Sequence, residues 1–275
     1  MLLVLLAALL QAGWNALVRS ASDKFQSTLL IVCGAGAISL VLLPFLPSPA
    51  LPSWPYLLAS GLIHVVYFTL VALSYRHADL GFAYPVMRGT APVLTALAAL
   101  IVLNESPSAG GWVGIALVCS GVLLMVGAAS RAGVLRPPAL AFALGNACVI
   151  AAYTLIDGHG ARLSGHSLSY TAWVFLLTAV FVLGLALTLR RHSVPSLNAS
   201  AWRIASLGGA GTLVAYSLVL WAMTRAPIAS VAALRESSIV FAALIGVLFL
   251  GEHMGRLRLA SVVLVCLGAV AIKLA

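Results

Sequence analysis

Two arginines stand out in this sequence because they lie where charge is expensive. Arg88 and Arg235 each precede a glutamate, Glu105 and Glu252, by 17 residues, inside runs that are otherwise apolar. On a helix that spacing is roughly 25 Å, at about 1.5 Å per residue. If such a run crosses a bilayer, a central arginine costs about 2.5–3.5 kcal/mol and needs something to offset it. The guanidinium fork takes two oxygens at once, which suits a carboxylate or a phosphate. The pair therefore reads as a cavity-facing couple that holds an anionic group. Two other readings stand beside it. Glu236 adjoins Arg235, and Asp157 could reach one arginine, so the role could be structural pairing. Long basic side chains also snorkel to interfaces.

Other polar residues cluster at helical spacing around them. Tyr84 lies one turn before Arg88, and Ser238 is near Arg235 by the same rule. Gln11 and Asn15 sit at i, i+4 with Trp14 beside them, and Asn146, Tyr153 and Asp157 at i, i+7 and i+11. His64 and Tyr67 are one turn apart, and Thr212 and Tyr216 share a face. With the arginines, Tyr84, Trp14, Asn15, His64, Tyr67, Asn146, Tyr153 and Tyr216 form the set of candidate ligand-binding residues. Glu236, His64 and Asp157 are the candidates for proton coupling. Histidine titrates near neutral pH, and carboxylates inside membranes often serve as relays. The plainer alternatives are interface anchoring for tyrosine, interhelical hydrogen bonding for the amides and packing for histidine. No Ser/His pair, carboxylate pair, HExxH or nucleotide-binding motif is convincing, so neither catalysis nor direct ATP use is expected. Cys33, Cys119, Cys148 and Cys266 lie in apolar runs without CxxC spacing and read as small buried hydrophobes. No metal or cofactor is expected.

The elements that position these residues follow from composition. Of 275 residues, 63% are hydrophobic and 8% charged, against roughly 25% charged in soluble domains. A bilayer accommodates that surplus, at about 20 apolar residues per spanning helix. Turn and charge clusters divide the chain into ten runs, at about 1–18, 26–46, 54–74, 80–103, 111–129, 138–156, 167–189, 203–224, 228–250 and 257–274. The sixth run closes on Asp157–Gly158, and Pro85 and Pro92 are expected to kink the fourth. Residues 1–18 read as a first span rather than a signal peptide, since no basic segment precedes them. The net charge of +9 is scattered between the runs, so the expected partners are the lipid bilayer and a small-molecule substrate, not nucleic acid.

A shift of 147 residues lays 88–121 on 235–268 with ten identities in 34 positions. Arg88 falls on Arg235, Glu105 on Glu252, Cys119 on Cys266 and Gly121 on Gly268. The halves, 1–131 and 132–275, hold five spans each. An odd number inverts the second half, and inverted repeats mark transporters with a site where the halves meet.

Here the sequence resembles the drug/metabolite transporter superfamily, specifically the EamA-type permeases, over essentially its whole length. The resemblance rests on the two five-span repeats and on the glutamates closing the fourth and ninth spans (Leu103–Asn104–Glu105, Leu250–Gly251–Glu252). It also rests on the glycine-rich fifth span, on Ala83–Tyr84–Pro85–Val86–Met87–Arg88–Gly89–Thr90–Ala91–Pro92, and on Ala12–Gly13–Trp14–Asn15–Ala16. It implies an all-α integral membrane fold of ten transmembrane helices in two inverted five-helix repeats. It further implies a cavity lined mainly by spans 1, 3, 4, 6, 8 and 9, and often export.

The expected function is secondary transport by alternating access, exporting a small anionic or zwitterionic metabolite such as an amino-acid-like compound. The alternatives are an uptake permease, a multidrug or cation exporter of the same fold, or a non-transporting structural subunit. The expected location is the bacterial cytoplasmic (inner) membrane, with a homodimer as an admissible assembly. Ten basic residues flank the odd-to-even connections and three the other side, which puts both termini outside. The resemblance implies both termini inside, and the two arguments stay opposed.

Overall fold

The computed structural model describes residues 1–20, 24–77, 80–130, 137–189, 199–250 and 255–275, and among these there is helix and no strand. Eight spans are single helices: Leu2–Ser20 (first), Lys24–Leu42 (second), Trp54–His77 (third), Leu80–Val102 (fourth), Ala109–Ser130 (fifth), Pro137–Leu163 (sixth), Ser167–Leu189 (seventh) and Arg256–Leu274 (tenth). The eighth joins Ala199–Arg203 to Gly209–Met223 through a π-helical turn, Ile204–Gly208. The ninth consists of Ile228–Arg235 and Ser238–Leu250. Five stretches are long and apolar enough to cross a membrane, namely Gln26–Phe45, Leu140–Leu163, Ser167–Thr188, Ala201–Met223 and Ile228–Ile245. Shorter apolar stretches lie in the first, fourth, fifth and tenth spans. Large apolar side chains such as Val41, Ile101 and Leu248 face outward. Lipid is the solvent that suits them, and inside lipid a helix satisfies its own backbone. The fold is an all-α membrane fold of ten spans in two repeated halves.

The packing repeats with the sequence. The sixth span packs on the third and fourth, and its counterpart, the first, on the eighth and ninth. The third packs on the seventh as the eighth does on the second. The second meets the seventh, the fourth the ninth, and the fifth the tenth. Each half thus seats its first helix in the other. Glycines permit the closest crossings. A Cβ at Gly114 would stand 2.8 Å from the Gly268 carbonyl oxygen, and one at Gly121 2.8 Å from that of Ser261. The π-turn of the eighth span lies where Gly34 meets the Ala205 backbone and Gly208 meets Ile31.

Two sequence expectations change. The sixth helix does not end at Asp157 but runs on to Leu163, carrying the carboxylate inside the bundle. The ninth is not one continuous helix. At Glu236–Ser237 its ladder tightens, with Glu236 N–H donating to Ala233 O (3.0 Å) and Ile239 N–H to Glu236 O (3.0 Å). No proline causes this; the Ser237 hydroxyl bonds back to Leu234 O at 2.7 Å and competes with the regular pattern. The fourth span, by contrast, stays helical through Pro85 and Pro92.

One end of the bundle is tied by Arg162. Its Nε donates to Met223 O at 2.7 Å and its Nη2 to Ala226 O at 3.0 Å, while Nη1 pairs with Glu105 Oε1. Glu105 Oε2 accepts the Ile228 N–H at 3.2 Å. The clamp joins the ends of spans four, six and eight to the start of span nine. It gives Glu105 the structural role its place in a turn suggested. Hydrogen bonds to charged groups contribute about 1.5–3 kcal/mol, less where the pair is a quarter exposed, as here. Arg162→Ala should therefore lower the apparent melting temperature in detergent by several degrees. Arg162→Lys should recover only part of the loss, since an ammonium cannot reproduce the fork.

Candidate functional site

Four charged side chains of the described residues are almost wholly enclosed: Arg88 (6% exposed), Asp157 (0%), Arg235 (5%) and Glu236 (1%). They come from spans four, six and nine, and charge in such an interior persists only when paired or hydrogen-bonded.

Where the fourth and ninth spans cross, Arg88 Nη2 lies 2.9 Å from Glu236 Oε1. The partner of Glu236 is therefore Arg88 on the facing helix and not its chain neighbour Arg235. Adjacent helical residues point about 100° apart, so adjacency in the chain does not bring side chains together. Arg235 remains within electrostatic reach of Glu236 and of Tyr216. Its buried Nε has no hydrogen-bond partner, and no ion pair within 4 Å involves it among the described residues.

A second polar group lies around Asp157. Tyr216 of the eighth span donates to Oδ2 at 2.6 Å and Tyr170 of the seventh to Oδ1 at 3.2 Å. Ser60 and His64 of the third span complete its surroundings. The His64 ring stacks on Tyr153 with centroids 4.6 Å apart, and Tyr67 meets the same Tyr153 ring at 5.8 Å. His64 Nδ1 is 2.8 Å from the Ser60 carbonyl oxygen. Met87, next to Arg88, shares an apolar cluster with Tyr153, Tyr67 and Tyr216, which links the two polar groups.

His64, Tyr67, Asn146, Tyr153, Asp157 and Tyr216 thus converge with Arg88, Arg235 and Glu236. Asn146 is fully buried, its Nδ2 against Met87 Sδ. Trp14 sits apart, in an apolar cavity of about 440 Å³ lined also by Leu9, Leu10, Gly13, Leu207, Gly211 and Ile245. Asn15 and Tyr84 lie on helices of the first and fourth spans, and their side chains are outside the described residues. The alternative that Asp157 reaches an arginine is not realised among the described residues; Tyr170 and Tyr216 donate to it. Sequence reasoning missed Tyr170 and Ser60. The signal for Tyr170 was its place 13 residues beyond Asp157, across a hairpin turned by Gly165 at φ 72°.

Together these features define a polytopic membrane protein with a polar layer enclosed where two repeated halves meet. The EamA-like transporter family matches residues 1–127 and again 137–274, and the chain belongs to that family, a drug/metabolite-type membrane transporter. A crystal structure described only as "Crystal structure of protein" superposes with a TM-score of 0.80 at 19% identity, over 99% of this chain and 96% of that one, and it supports the fold alone. No curated protein matches the chain.

Breaking a buried ion pair from one side costs about 3–5 kcal/mol, because the other charge is stranded. Arg88→Ala and Glu236→Ala should each destabilise the protein by about that much. The double variant Arg88→Ala/Glu236→Ala should cost clearly less than the sum of the single changes. A double-mutant cycle by thermal unfolding in detergent checks this; additive losses would mean that the two side chains do not interact.

Proposed function

We propose that this chain is a secondary transporter for a small polar solute with an anionic or zwitterionic group, an amino-acid-like metabolite first among them. It works by alternating access and exports its solute across a bacterial cytoplasmic membrane. The observation that carries the substrate class is Arg235. It is buried at a helix break, one Nε–H has no partner, and the nearby acid is already engaged by Arg88. The crossing of spans four and nine therefore holds one positive charge in excess, and a carboxylate would complete it. The rings of Tyr67, Tyr153 and His64 offer faces to an ammonium at the other end of a zwitterion. The inverted halves and the tightened turn at Glu236–Ser237 support a rocking mechanism, since transporter sites often lie at interrupted helices. Export and the bacterial membrane rest on the resemblance to EamA-type permeases.

A cation exporter of the same fold is the rival reading. The aromatic cluster beside Asp157, a buried carboxylate with no arginine or lysine in contact among the described residues, favours it. A thermal-shift screen separates the two, because ligand binding raises apparent stability, by about 2.7 kcal/mol at a hundred times Kd. Small carboxylates and zwitterions should stabilise the parent, leave Arg235→Ala unmoved and stabilise Arg235→Lys in part. If organic cations instead stabilise the parent and Arg235→Ala equally, the anion-holding role of Arg235 is wrong.

A further inference from the structure

We propose that Asp157, held between Tyr170 and Tyr216, is the site where the coupling proton is taken up and released, and that Tyr216 links it to Arg235. This deepens the transport reading above, and it selects one of the three candidates that the sequence offered.

Glu236 has a counter-charge already, Arg88 at 2.9 Å, with Arg235 close by. A proton on Glu236 would dissolve that ion pair. His64 is only partly buried, so its charge does not depend on the enclosure that isolates Asp157. Asp157 differs from both. It is fully enclosed, and no cation lies within 4 Å of it among the described residues. A carboxylate so placed calls for a positive charge. Asp157 has no exposed surface, and hydroxyls of Tyr170 and Tyr216 already occupy both of its oxygens. A proton is the cation that fits without opening the bundle.

The groups that face Asp157 are known on each side. The third span brings Ser60 and His64, the seventh Tyr170, and the eighth Tyr216. Its own helix carries Tyr153 one turn away, against His64. The ninth span acts through Arg235, which lies in electrostatic reach of Tyr216, and the fourth carries Arg88, committed to Glu236. In the uptake step a hydronium ion from the open side gives its proton to one Asp157 oxygen, forming the acid and water. Release to the other side returns that proton to water. Tyr216 donates to Asp157 Oδ2 in the charged form. Once that oxygen is protonated it can donate to the tyrosyl oxygen instead, and the tyrosyl O–H is free to rotate toward a solute held at Arg235. Proton and solute then compete for, or share, one hydroxyl, and that is a means of coupling.

Infrared difference spectroscopy on the protein in lipid, with pH stepped and no solute added, tests the assignment. The parent should show a carboxylic-acid C=O band that titrates. Asp157→Asn should lose it, Asp157→Glu should restore a shifted one, and Glu236→Gln should keep the parental band. A band that survives Asp157→Asn, vanishes with Glu236→Gln, or is absent from the parent overturns the proposal. If Asp157→Asn fails to fold, Tyr216→Phe decides: the band's midpoint should move, and an unchanged midpoint counts against Asp157. These readings need no ligand. A solute screen that finds nothing would sink the substrate class and leave the proton site standing, and the reverse result is equally legible.

Discussion

The constraint on which the rest depends is the cost of charge in hydrocarbon. Lipid hydrates nothing, so an ionised group inside the bundle must find its compensation in protein. Arg88 and Glu236 solve this by crossing helices from opposite halves. Asp157 solves it with hydroxyls from two further spans. Arg235 has no ion pair within 4 Å among the described residues, and its buried Nε has no hydrogen-bond partner. Charges drawn from both halves therefore hold the interface between them together. An apolar seam would have no such specific register.

The repeat is imperfect where it matters most. Gly89 and Thr90 in the fourth span correspond to Glu236 and Ser237 in the ninth. Pro92 has no N–H to donate to the Arg88 carbonyl, so the ladder lacks a bond one turn after that arginine. In the ninth span the amide of Ile239 goes to Glu236 O instead of Arg235 O. The two halves weaken the helix beside their arginine by different chemistry. The fourth span loses a donor yet keeps α geometry, and the ninth retains its donors and tightens. The glutamate exists only in the second half, and it pairs with the arginine of the first, while Arg235 has no ion pair within 4 Å among the described residues. The two halves share a backbone plan, and substitution beside the arginines makes a repeated pair unequal.

What the sequence revealed follows from which forces are local. Ten apolar runs and a 147-residue repeat are visible because hydropathy and internal identity need no three-dimensional knowledge. The arginines were legible because charge is rare in such a composition. Partner choice was not. Glu236 beside Arg235 invites pairing on paper, yet helical geometry sends the side chains to different faces. Asp157 was read as the end of a span because charged residues usually close apolar runs. Nothing local says that Tyr170 and Tyr216, 13 and 59 residues away, will satisfy it. The break in the ninth span was hidden for the opposite reason: prolines drew attention to the fourth, while Glu236–Ser237–Ser238 carries no strong breaker.

The clamp and the polar layer together suggest how the halves divide their labour. Arg162 gathers three chain ends and a helix start, with most of its donors on backbone oxygens, which cannot repack without moving whole spans. Roughly 25 Å away along the fourth span, at 1.5 Å per residue, Arg88 meets its partner through side chains alone, and these can rotate. A rigid tie at one end and an exchangeable one in the middle is the arrangement that lets helices tilt about a fixed edge. The glycine crossings between spans five and ten add a second stiff element, since backbones in direct contact have no side-chain layer to shear. The spans that carry the buried charges, the fourth, sixth and ninth, are the same ones that Arg162 and Glu105 tie together at one end.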